Sequence, residues 1–463
     1  MYLPVGYSIV SLALAKLSKA ITLTGDPSLT MDLTADAADN AILADYDITV
    51  ADYLFTALVA TTEYNGSSED TSVSDLTFTA TLNDTDALLI NECTVTLTDC
   101  KVVKTGYSSN LFEASFFGVN SALNVQNSST VTINTINVTT HNGAANIYSW
   151  GEGTTITVSD AWLYSSGPAA HGLYAAEYGT IVGTNIRHYS GGNRCSSFAG
   201  DSPAGYITVS DSVAHTAGIG SAIFYALGTI TASNVTGWAE HAPVLFMDGD
   251  QSATISDSTL EAGLLGGMVI FSSSDIVSGA TAKLTNTTLI ATGDTMPALW
   301  FGNVIADITL ETTTLTTASG VLVSANYSQV TQAFDYYADY SDNSALSPAR
   351  VTVTVIDSDL TGDLVAYNKS TISWSLTEDS SWTGTTSVGY GSAYFAVSLD
   401  ATSSWTLTAD ACLENFTDSD TTVSNVASAG FSIYYDSTST ANDWLDGATI
   451  SLSGGGSLKP GSC

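Results

Sequence analysis

Ile156-Thr157-Val158-Ser159-Asp160 recurs as Ile207-Thr208-Val209-Ser210-Asp211 and Ile230-Thr231-Ala232-Ser233-Asn234, and with small changes as Thr254-Ile255-Ser256-Asp257 and Leu284-Thr285-Asn286. Ile181-Val182-Gly183-Thr184-Asn185 is a weaker copy. Taking the closing Asp or Asn as a ruler, the steps from Asp160 to Asn185, Asp211, Asn234, Asp257 and Asn286 are 25, 26, 23, 23 and 29 residues. Apolar and hydroxyl residues alternate with period two inside each copy, as in a β-strand with one buried face. A repeat of this length is one strand-turn-strand coil, too small to bury a face alone, so the coils must stack. The sequence therefore predicts an all-β chain, a single-domain right-handed parallel β-helix with capped ends.

Composition agrees with a solenoid. The 463 residues are 44% hydrophobic and 12% charged, enough to bury a large core, and the repeat outweighs the several globular domains that length alone would predict. Forty-six acidic against ten basic residues give a formal charge of −36, which repels nucleic acid and anionic lipid and argues against both as partners. The same charge keeps a long Thr-rich surface soluble. Apart from the first twenty residues, no stretch is apolar enough to suggest a membrane span.

Five cysteines are few. Cys93 and Cys100 flank one strand, Cys412 and Cys463 are placed to tie the last coil to the chain end, and Cys195 is left over; the spacing matches no zinc site and leaves the pairing open. Residues 1–20 read either as a signal peptide, with an apolar run from Ser8 to Ala15 and small residues at Ser18-Lys19-Ala20, or as a cap helix with an Ile9, Val10, Leu12, Leu14 and Leu17 face. Export and an extracellular location are the expectation. Nine Asn-x-Ser/Thr sequons are present. Asn234 and Asn286 lie on the ruler, where bonding to the neighbouring coil is a better use of the side chain than a glycan.

Along the chain, residues 21–93 alternate without a clear ruler and read as irregular first coils or a cap. Residues 94–463 read as the β-helix proper, broken at 326–348 by an insertion containing Asp335-Tyr336-Tyr337-Ala338-Asp339-Tyr340-Ser341-Asp342-Asn343, expected as a loop over one face. The phrase resumes at Val353-Thr354-Val355-Ile356-Asp357 and the chain closes on Ser453-Gly454-Gly455-Gly456-Ser457, as a capped end would. Coils of this length, punctuated by Gly, Asn and Asp, resemble the right-handed parallel β-helix proteins of the pectate-lyase-like group. The final sixty residues, with Ser404-Trp405-Thr406-Leu407-Thr408, Gly430-Phe431-Ser432-Ile433-Tyr434-Tyr435-Asp436 and Trp444-Leu445-Asp446-Gly447, are similar to the ends of secreted, adhesin-like microbial β-helix proteins. These resemblances imply a fold; the reaction stays open, since lyases, hydrolases, epimerases and passive adhesins share it.

Rare residues locate the chemistry. All five histidines (His141, His171, His188, His215, His241) and two of three arginines (Arg187, Arg194) lie between residues 141 and 241. Four residues after each ruler position stand Tyr164, Tyr189, His215, Trp238 and Glu261, and two residues after it Trp162 and Arg187. The position between holds Leu163, His188, Ala214, Gly237 and Leu260, an inward-type column in which His188 reads as a buried, hydrogen-bonded histidine. The expectation is an outward stripe of Trp162, Tyr164, Arg187, Tyr189, His215, Trp238 and Glu261, flanked by His171, Arg194, Glu240 and His241.

Such a stripe suits a polysaccharide, with sugar faces on Trp and Tyr and hydroxyls on His, Arg and Glu. On a uronate, Arg187 or Arg194 would neutralise the carboxylate, His215 take the C5 proton and Tyr189 protonate the leaving oxygen. For hydrolysis, Glu240 and Glu261 would be the acid/base pair. The stripe also reads as a stack that only pins coil register. No metal ligand set or cofactor fingerprint is present; calcium could bridge the acids of the insertion, but no Asp-x-Asp-x-Asp-Gly motif supports it. The leading expectation is thus a secreted polysaccharide lyase or hydrolase acting along residues 141–261. The alternatives are a non-catalytic adhesin-like surface protein and an enzyme acting on a small molecule.

Overall fold

A computed structural model describes residues 57–66, 71–141, 145–263, 266–273, 275–326 and 347–461. Residues 1–20, with their signal-peptide or cap-helix reading, and the core of the insertion, residues 327–346, lie outside the described residues.

The chain is all-β, a parallel β-solenoid of about 15 turns. It divides into two compact units, one running to Leu245 and including Ser258–Leu260, the other comprising Phe246–Asp257 and everything from Glu261 onward. In the first unit each coil has three faces. One coil is the strand Leu173–Ala176, a turn, and the long strand Thr180–Ser190 bent in its middle. Its pairing is strictly residue for residue: Ile181 stands between Ile156 and Ile207, and Tyr189 between Tyr164 and His215. Regular pairing reaches back to Ala60–Asn65 against Asp86–Asn91, earlier than the ruler can be followed in the sequence.

The bend explains the ruler. Asp160, Asn185, Asp211 and Asn234 all have left-handed backbone, with φ of 59°, 59°, 52° and 52°. Asp and Asn are the non-glycine residues that tolerate this region best. Their side chains then bond across the coils: Asn185 Nδ2 donates to Asp160 Oδ1 and Asn234 Nδ2 to Asp211 Oδ1, both at 2.6 Å. In the second unit Asn286 (φ 47°) donates to Asp257 at 2.7 Å. The ruler asparagines bond to the neighbouring coil as expected. After Asp211 and Asp257 the next residue supplies a buried hydroxyl to an N–H of the preceding coil: Ser212 Oγ accepts from Ile186 N at 3.1 Å and Ser258 Oγ from Val235 N at 3.0 Å.

Inward columns run Val95, Val131, Ile156, Ile181, Ile207, Ile230 on the second face and Leu88, Leu123, Ile147, Leu173, Phe198, Phe224 on the first, each residue buried. Burying such columns stabilises the fold by about 25 cal/mol per Å² of apolar surface. The outward side of the first face is covered by the short helix Leu111–Phe117, whose carbonyls are capped by sheet side chains: Tyr148 Oη donates to Ser115 O, Trp150 Nε1 to Phe116 O and Gln126 Nε2 to Phe117 O, each at 2.9 Å. Cys93, Cys100 and Cys195 are thiols and Cys412 is disulfide-bonded. Cys463, the partner considered for Cys412, lies outside the described residues.

Candidate functional site

The third face of the first unit is formed by the residues after each bend: Ile136–Thr140, Ala161–Ser165, Ile186–Ser190, Ser212–Thr216 and Val235–Ala239. Its register places Tyr164, Tyr189, His215 and Trp238 in one column and Trp162 beside Arg187 in the next, as the spacing predicts. The rings form an unbroken stack. Tyr164 lies on Tyr189 with centroids 5.8 Å apart, Tyr189 meets His215 edge-on at 5.0 Å, and His215 lies flat on Trp238 at 4.3 Å. His141, one coil further, meets Tyr164 edge-on at 5.4 Å.

Accessibility divides the stripe. Trp162, Tyr164 and Tyr189, expected on an open outward surface, are buried and form a hydrophobic cluster against which Ala217 packs. Strand parity turns a side chain away from the coil interior, but it does not decide whether water reaches it once bulky rings cover one another. Arg187, His215, Trp238 and Glu240 are half-buried and His241 is exposed. Glu261 belongs to the second unit, where burial raises its carboxyl above the usual range.

The charged contact on this face is at His215. Its Nε2 lies 2.7 Å from Glu240 Oε1. A carboxylate oxygen accepts here, so the bond places a proton on Nε2, the tautomer whose free lone pair is on Nδ1. Two coils thus assemble an oriented imidazole, with Tyr189 at its edge and Trp238 on its face. Arg187, two residues before Tyr189 on the same strand, has a buried Nε with no hydrogen-bond partner among the described residues. His241 Nδ1 donates to Ala217 O at 2.8 Å.

His171 and His188 are buried. His188 points into the coil between the hydroxyls of Ser165 (Nε2, 3.1 Å) and Ser197 (Nδ1, 2.8 Å), and Gly172 leaves its ring room, because a Cβ there would press on Cδ2. Burial, then the neighbouring His171 and His215, lower its pKa to about 3. His171 accepts from Ser196 N at 3.0 Å and is lowered to about 3 by burial and then by Arg194. Both rings stay neutral through any ordinary working pH, so neither contributes to the positive patch that charged histidines would make on an acidic protein.

A second aromatic group, on the first face, escapes a reading anchored on the ruler. Tyr148, Tyr174 and Tyr225 occupy one column with Ala199, and Trp150 lies two residues beyond Tyr148. Tyr148 and Tyr174 meet edge-on at 5.0 Å, His171 stacks obliquely on Tyr174 at 4.3 Å, and Tyr174 Oη donates to the buried Asp201. Burial and the Asp201 charge hold the Tyr174 phenol well above its ordinary pKa. The signal was the recurrence of Ile147-Tyr148 and Leu173-Tyr174 at one coil's distance, in strands that lack the Thr-rich phrase.

Among the described residues no three His, Cys, Asp or Glu side chains are grouped to hold a metal ion, and no helix is long and apolar enough to cross a membrane. Compared with known protein families, curated proteins and solved structures, the chain matches none.

Proposed function

We propose that the protein is a secreted carbohydrate-active β-helix protein, of the architecture shared by pectate-lyase-like enzymes, that cleaves a polysaccharide by proton abstraction on the third face of the first unit. The observation that carries this reading is the His215–Glu240 contact at 2.7 Å, which orients an imidazole 20% exposed against Trp238, with Arg187 two positions before its register partner Tyr189. In the reaction, His215 Nδ1 takes the proton α to a uronate carboxylate, the electron pair forms the C4–C5 double bond, and the C4–O bond breaks. Glu240 stabilises the imidazolium that forms, and Arg187 balances the charge developing on the carboxylate. Tyr189, buried beneath the edge of His215, supports the ring; the imidazolium is the acid nearest the leaving oxygen. Trp238, half-buried beneath His215, offers the adjacent surface for a sugar ring.

Two-carboxylate hydrolysis is less well served, because Glu240 is engaged by His215. The burial of Trp162, Tyr164 and Tyr189 favours one second reading, a non-catalytic surface protein whose ladder pins coil register. The deciding experiment incubates purified protein with uronic-acid and neutral polysaccharides between pH 4 and 8, following absorbance of unsaturated ends and release of reducing ends. Unsaturated products that vanish in His215→Gln support the elimination; reducing ends alone would replace it with hydrolysis, and silence on every polymer would favour the surface protein.

A further inference from the structure

The second unit carries a different aromatic surface, and this one is open. Val388, Tyr390 and Tyr394 are 45%, 41% and 39% exposed. Two exposed rings and an exposed valine in one short segment are a costly use of apolar surface, unlike singly scattered ones. The segment is also built to hold them. Gly389 lies flat on the Tyr367 ring, where any Cβ would overlap ring carbons, and Gly391 has φ +69°. The turn is anchored to the coil before it: Gly389 N donates to Ala366 O and Asn368 N to Tyr390 O, both at 2.9 Å, and Lys369 N donates to Ser392 O. Tyr367 and Tyr390 thus stand on successive coils with ring centroids 5.1 Å apart and planes inclined at 56°. Tyr394 opens the strand Tyr394–Leu399, paired with Thr371–Leu376.

Charge is sparse in the sequence around these rings. A chain with 46 acids in 463 residues has none in Leu364–Thr377 or Ser380–Leu399, and Lys369 is the only charged side chain in those stretches. Exposed serines, Ser387 and Ser392, flank the rings. Rings on two successive coils, Tyr367 and then Tyr390 with Tyr394 four residues on, hydroxyls beside them and few charges, exposed Arg350 paired with Thr371 being the nearest on the ladder, match a chain of neutral pyranoses, whose C–H faces stack on phenol rings while their hydroxyls bond to serine.

We propose that Tyr367, Tyr390 and Tyr394 form a non-catalytic binding platform for a neutral polysaccharide, separate from the His215 site. The platform stands whether or not the third face turns over a substrate. The test is retardation of unglycosylated protein in native gels containing a neutral β-glucan, mannan or xylan, or polygalacturonate; glycan-free material is used because Asn368 begins a sequon beside the turn. Wild type and His215→Gln are expected to be slowed alike by at least one neutral polymer and not by polygalacturonate. The double variant Tyr390→Ala/Tyr394→Ala should weaken that retardation about ten-fold, as loss of two stacking rings implies, and Tyr390→Trp should keep it. Urea midpoints of the variants show whether they fold. No retardation by any neutral polymer, or retardation unchanged in the folded double variant, would overturn the proposal.

Discussion

Both units stack aromatic rings along the coil axis, to opposite ends. In the second unit Trp382 and Trp405 lie inside the coil with centroids 4.7 Å apart and planes 13° apart, and each indole N–H donates to a backbone carbonyl, Gly362 at 2.8 Å and Gly384 at 2.9 Å. A Cβ at Gly384 would collide with Gly362 O and the Trp382 indole, so that stack even dictates where glycine stands. Its polar groups are consumed by the fold. On the third face of the first unit the stack ends in His215 and Trp238, half-buried, with Glu240 on the imidazole and Arg187 nearby. Stacking alone therefore does not mark a site; the proposed one rests on polar groups that the fold leaves available.

The contrast can be broken most sharply at His215. His215→Ala should lower turnover of a responsive polysaccharide by about 10²–10⁴-fold, the usual contribution of a general base, with an unchanged urea midpoint. Equal losses of activity and stability would make the His215 stack as structural as the tryptophan one. Trp405→Ala should do the reverse, costing about 3–5 kcal/mol in chemical denaturation while kcat per folded molecule stays put.

The buried histidines sharpen the comparison through pH. With folded pKa values of about 3 against 6.5 for the unfolded chain, His171 and His188 bind protons in the unfolded state first. Their stabilisation is therefore fully present above pH 6.5 and is lost progressively as pH falls toward 3. Comparing urea midpoints at pH 7 and pH 4.5, His188→Asn should lose less on acidification than wild type, whatever its stability at pH 7. Identical losses would mean that His188 is not held neutral. The smallest effect is expected at the ruler. Asn185→Ala should cost about 1–2 kcal/mol, from left-handed backbone strain and the lost bond to Asp160, and Asn185→Gly distinctly less, since glycine removes the strain. Equal costs for the two would assign the whole effect to the side-chain bond.

Much of the third face was legible in advance because a parallel solenoid turns sequence spacing into spatial register. Counting from Asp160, Asn185, Asp211 and Asn234 was enough to place Tyr164, Tyr189, His215 and Trp238 in one column and to put His188 inside the coil. The first-face group was harder to see, since Tyr148 and Tyr174 sit in short strands without a ruler residue, and Asp201 reaches Tyr174 from a register shift between Gly200 and Gly205.

The sequence by itself determined the coil, its register and its inward columns, because period-two alternation and the left-handed preference of Asp and Asn are local properties repeated along the chain. Tertiary structure alone decided which outward rings meet water, that Glu240 reaches His215, and that Tyr390 stands exposed on a turn seated against Tyr367. Those outcomes depend on what packs over each face and on side chains meeting across coils, neither of which strand parity encodes.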